Sequence, residues 1–175
     1  MEEQLPVKEA TARPAVREIA AKAGKLTYTD TPSNIKTIKG DDFEVQFDTN
    51  TGTIYSLNYG GKTIITAGNG PKLDALRAFT NNDNWFYAQW FEKGLHNLVH
   101  KTTDSKIITQ KDGTIVLAFT VVSQAPNAAK ILGGTSSGKN SIEELTGKPF
   151  GESDFKFTTN QIWTVYQDGS IELQA

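Results

Sequence analysis

The chain of 175 residues contains no cysteine. That absence excludes a disulfide scaffold, a thiol nucleophile and every cysteine-ligated metal site. Only two histidines are present, His96 and His100, too few for a histidine-rich metal centre. Charge of one sign is lacking as well: 18 Lys and Arg against 20 Asp and Glu leave a net charge of −2. Such a balance gives no electrostatic footprint for nucleic acid or an anionic membrane. No apolar run approaches the roughly 20 residues that span a bilayer. The opening Met1-Glu2-Glu3-Gln4-Leu5-Pro6 has neither the basic nor the apolar region of a signal peptide. What is there, 37% hydrophobic and 22% charged residues, is the composition of an ordinary globular domain.

The pattern along the chain is mostly of period two. Residues 14–24 predict a short helix, with Pro14 at its first position, Val16, Ile19, Ala20 and Ala23 at helical spacing, and Gly24 as its cap. From there to about Ile65 strands take over. Phe43-Glu44-Val45-Gln46-Phe47 alternates as a half-buried strand does, Asp48 to Gly52 forms a turn, and Ile54, Leu57 and Tyr59 make the return strand. Gly60-Gly61 predicts a second turn before Lys62 to Ile65. Residues 66–84 read as an irregular loop, and Trp85 to Leu95 as an aromatic helix of two to three turns ended by Gly94, with Trp90 a core anchor. Strands return near 98–109, at Thr114 to Val122, and at Phe155 to Tyr166, where Asp168-Gly169 begins the last hairpin. The glycine-rich stretch 124–152 is expected to be a long mobile excursion. The sum is an all-β, antiparallel β-sandwich with short peripheral helices. The last residues read as a strand just begun, which predicts a piece of a longer chain.

Most candidate chemistry fails on context. Gly133 to Asn140 fits G-x-x-x-x-G-K, but Asn140 stands where magnesium needs Ser or Thr, Ala129 to Leu132 is a poor strand, and no parallel α/β unit surrounds it. Glu143-Glu144 are adjacent and point apart, while Asp41-Asp42 sit at a turn, so neither forms the flanking carboxylate pair of a glycosidase. His96 and His100 have no acidic third ligand in a matching pattern, so no metal site is expected. A sugar epimerase would need a histidine acid and a glutamate base, and Glu92 is the sole glutamate near the two histidines.

The segment Gly70 to Trp85 stands out. It gathers amides, carboxylates, Arg77 and aromatics, the mixture that hydrogen-bonds sugar hydroxyls and packs on a sugar's apolar face. Here the chain resembles the small-chain, C-terminal β-sandwich of family 2 β-galactosidases. The family pattern G-P-x-x-x-x-x-R-A-P-T-D-N-D is met by Gly70-Pro71 and by Arg77-Ala78-Phe79-Thr80-Asn81-Asn82-Asp83, followed by Trp90 and Gly94-Leu95. Phe43 to Lys62 resembles that domain's opening hairpin, and Trp163 to Ile171 its later Y-x-x-D-G-x-I strands.

The resemblance implies a galactose-mutarotase-like supersandwich, present in part, with residues 25–175 as the N-terminal part of that domain and 1–24 as a linker from a preceding Ig-like domain. It implies retaining hydrolysis of terminal β-D-galactosides such as lactose by two glutamates of a separate TIM barrel. No catalytic residue and no cofactor is then expected in this chain, and the family's magnesium and sodium ions bind elsewhere. The implied partners are the galactoside and the rest of the enzyme, its barrel and Ig-like domains, with no nucleic acid and no membrane. The compartment, cytoplasmic or periplasmic, stays open. The matched loop lies at the aglycone side of the barrel's active site, which makes Arg77, Thr80, Asn81, Asn82 and Asp83 the expected substrate-binding residues. A freestanding carbohydrate-binding module is the alternative. Phe79 replaces the pattern's proline and Asn81 its first aspartate, and the family's late sugar-site tryptophan has no counterpart.

Overall fold

A computed structural model describes residues 24–78, 80–85, 90, 94–125, 128–134, 140–146 and 156–175. Its first sheet is a meander of five antiparallel strands in sequence order: β1 (Thr27–Thr29), β2 (Ile35–Lys39), β3 (Phe43–Asp48), β4 (Thr53–Tyr59) and β5 (Lys62–Ile65). After the site loop come β6 (Val99–Thr109), β7 (Ile115–Gln124), β8 (Ala128–Gly134), β9 (Asn140–Thr146), β10 (Lys156–Val165) and β11 (Ile171–Gln174). The second sheet is ordered β11-β10-β7-β6, and β8 pairs with β9 in a separate antiparallel hairpin.

Alternation decides which face is buried. Phe43, Val45 and Phe47 of β3 point inward, as do Ile115, Leu117, Phe119 and Val121 of β7 and Trp163 and Val165 of β10, all within one cluster of buried side chains. Two sheets packed over this shared core make the all-β sandwich expected from the sequence. Its centre is an edge-to-face pair, with the Phe47 and Trp163 rings 5.6 Å apart. The Trp163 indole Nε1–H also donates to the Gly52 carbonyl at 3.0 Å, tying the β3–β4 turn to the opposite sheet. Only glycine fits that turn: Gly52 has φ of 70°, and a Cβ there would lie 2.5 Å from Val121 Cγ2.

One expectation needs correction. The stretch 124–152 is not one long excursion, because β8 and β9 pair in register from Ala128↔Thr146 to Gly134↔Asn140. Ladder hydrogen bonds between the two strands hold a segment whose glycines argue against strand when read alone. The same pairing removes the phosphate-loop reading, since an antiparallel strand follows Lys139 where a helix is needed. The predicted helix at 14–24 falls outside the described residues except for Gly24, as does most of the one at 85–95. Within the latter, Trp90 is helical, and Gly94, with a left-handed φ of 71°, precedes the 3-10 turn Leu95–Asn97.

Candidate functional site

The chain leaving β5 runs on beside the open half of β4, held at three successive points. That half is open because β5 pairs only with Leu57, Asn58 and Tyr59; on the other edge, in the ladder with β3, a bulge leaves Tyr55 as an extra residue between Ile54 and Ser56. The Tyr55 carbonyl accepts from Gly68 N–H at 2.8 Å. Gly70 then lies flat against the Ile54 carbonyl, where an added Cβ would be 1.7 Å from the oxygen. Buried Thr53 donates its hydroxyl to the Pro71 carbonyl. The Gly70-Pro71 pair singled out in the sequence is therefore the seat of the loop.

Beyond the seat, the chain folds back on Asp83. Arg77 donates through both terminal nitrogens, Nη1 to Oδ2 and Nη2 to Oδ1, each at 2.7 Å. Thr80 adds its backbone N–H at 2.7 Å and its hydroxyl at 2.9 Å, both to Oδ2. Asp83 itself is buried, at 2% exposure, inside the 3-10 turn Asn81–Trp85. The Thr80 backbone N–H, foremost, and the Arg77 guanidinium hold the carboxyl below the usual carboxylate range. Arg77 also donates to the Ala78 carbonyl at 3.0 Å, and its guanidinium carbon sits 5.4 Å from the centre of the Trp90 ring.

Of the five expected site residues, the fold thus brings Arg77, Thr80 and Asp83 together and leaves Asn81 and Asn82 exposed at the tip. All four hydrogen bonds to the Asp83 carboxylate come from within the loop, which makes Asp83 a brace. Trp90, expected as a core anchor, is partly buried and carries the Arg77 guanidinium on its ring. Sequence reading missed Thr53, whose hydroxyl gives no signal until the loop is seen on β4.

One histidine feels the charge of the loop's Lys72. His100 Nδ1 is 2.9 Å from the Ser123 hydroxyl across the β6–β7 ladder, and Ser123 is fully buried. Burial, with the positive charge of Lys72 as a second cause, pushes His100 below its ordinary value of 6.5. The neutral ring is favoured in the fold, so this contribution to stability is fully present above pH 6.5 and is lost as pH falls through the folded value. Urea midpoints should therefore drop between pH 7.5 and 5.5, and His100→Gln should flatten that slope; an unchanged slope would contradict the assignment. Among the described residues, no group of three or more His, Asp or Glu could hold a metal ion, and no helix is long and apolar enough to cross a membrane.

An antiparallel sandwich with a braced, amide-tipped loop clamped to one sheet defines the class of this domain as an all-β sandwich. The model of the beta galactosidase small chain family matches residues 39–175, from the end of β2 through β11, and the chain belongs to that family. The match takes in three of the first sheet's five strands, β3 to β5, the whole of the second sheet and the whole of the site loop. No curated protein matches the chain.

Proposed function

We propose that this chain is a non-catalytic part of a family 2 β-galactosidase and supplies a rim loop to an active site housed in a separate barrel. That site hydrolyses terminal β-D-galactosides such as lactose. The observation that carries the reading is the division of labour in the loop: Asp83 is consumed in bracing, whereas Asn81, Asn82 and one side of Arg77 face solvent on a preformed support. A rigid, exposed set of amide and guanidinium donors is what hydroxyl recognition needs, because little ordering cost is left to oppose binding. The two catalytic glutamates, and any magnesium or sodium ions of the parent enzyme, belong to the rest of that enzyme.

The isolated chain should accordingly release no nitrophenol from a nitrophenyl β-D-galactoside. In the assembled enzyme, Asn81→Ala and Asn82→Ala should each lower kcat/KM on lactose about fivefold, the effect of one neutral hydrogen bond. Turnover by the isolated chain, or wild-type kinetics in both variants, would refute the proposal. Micromolar galactose binding by the isolated chain would favour a freestanding module.

A further inference from the structure

The guanidinium of Arg77 has three hydrogen-bonding edges, and two of them are filled. The edge formed by Nη1 and Nη2 is spent on Asp83, and the outer Nη1 hydrogen goes to the Ala78 carbonyl. What is left is the third edge, the Nε–H and the Nη2 hydrogen beside it, two parallel donors in a fixed fork. No acceptor among the described residues meets that edge, and the Arg77 side chain is 58% exposed. The plane of the fork is fixed twice, by the bidentate bonds to buried Asp83 and by the Trp90 ring. A side chain that ordinarily samples many rotamers is here held in one.

We propose that this edge donates to two adjacent hydroxyls of the aglycone sugar in a disaccharide galactoside, which makes Arg77 a specificity residue for sugar over aryl aglycones; the assignment rests on the rim-loop reading above. Charge selects a diol over an anion. Asp83 already balances the guanidinium, so a second carboxylate would leave the cluster net negative, whereas two neutral hydroxyls take both donors with no charge left over. Geometry agrees, because neighbouring ring hydroxyls present two oxygens side by side, as the fork presents two hydrogens.

The test is Arg77→Lys in the assembled β-galactosidase, compared on lactose and on o-nitrophenyl β-D-galactoside. Lysine keeps a cation for Asp83 but has no second parallel donor pair. We expect kcat/KM to fall about tenfold on lactose and to stay within about twofold on the aryl galactoside. An equal fall on both substrates, or none on either, overturns the proposal. Lactose analogues with single glucose hydroxyls replaced by hydrogen give a check that needs no variant to fold. The wild-type enzyme should lose activity on analogues lacking either member of one adjacent pair, and on those the Arg77→Lys penalty should vanish; a penalty undiminished on every analogue overturns it too. If Asn81 and Asn82 variants impair the enzyme while Arg77→Lys shows no substrate preference, this assignment fails and the rim loop stands. If all three are silent, the rim loop itself fails.

Discussion

Trp163→Ala is expected to cost about 3–5 kcal/mol of stability, the largest effect of any single substitution in the core. Two losses combine. The indole is 4% exposed and meets Phe47 edge to face, so truncation leaves a void between the sheets that neither can close alone. The Gly52 carbonyl also loses its donor in a buried place, and an unmet buried acceptor adds its own penalty. Against a total of about 5–15 kcal/mol for a typical domain, that is a large fraction. Equilibrium urea denaturation measures it directly. Trp163→Phe keeps an aromatic ring and removes the donor, so it should recover most of the loss and remain about 1 kcal/mol below wild type. Equal destabilisation by the two variants would mean that the bond to Gly52, and not the ring, holds the sheets together.

Gly70→Ala should unseat the loop. The added methyl would fall 1.7 Å from the Ile54 carbonyl oxygen and 2.7 Å from its carbon, and a strand backbone cannot swing aside as a flexible side chain does. Relief requires the chain to lift from β4, which also strains the bond from Thr53 to Pro71. The cost to global stability should be about 1–3 kcal/mol, as for overpacking elsewhere. The effect on the loop should be larger than on the core. Amide hydrogen exchange should accelerate at Gly68 and Thr80, whose N–H groups are bonded in the seated loop, while Val45 and Leu117 stay protected. Uniform acceleration across both sheets would show instead that the seat belongs to the cooperative core.

Strand periodicity made most of the fold legible. Phe43, Val45 and Phe47 announce their face by alternation, and Gly60-Gly61 announces its turn with φ values of 54° and 74°. The β8–β9 hairpin was not legible, because its pairing depends on contacts between strands that composition does not record. In the site, Arg77 and Asp83 could be picked out by type and by family pattern. Their pairing could not, since a carboxylate in a loop reads the same whether it faces a ligand or a neighbouring guanidinium. Thr53 was silent for a related reason: a threonine in a strand is ordinary until something lies against it.

The bond between Trp163 and Gly52 joins residues 111 positions apart, and that separation has a kinetic meaning. The hairpin of β3 and β4 is local and can close within microseconds. The clasp from β10 cannot form until nearly the whole described chain has been made and gathered, and closing so long a loop is slow. The support for the site loop is thus assembled early, and is locked only when the last hairpin arrives. During that interval β6 and β7 alone are there to cover the inner face of the first sheet, without Trp163 and Val165 of β10. A nascent chain is then most exposed to wrong partners between the synthesis of β5 and that of β10, with the Gly70-Pro71 seat already in place on an unfinished sandwich.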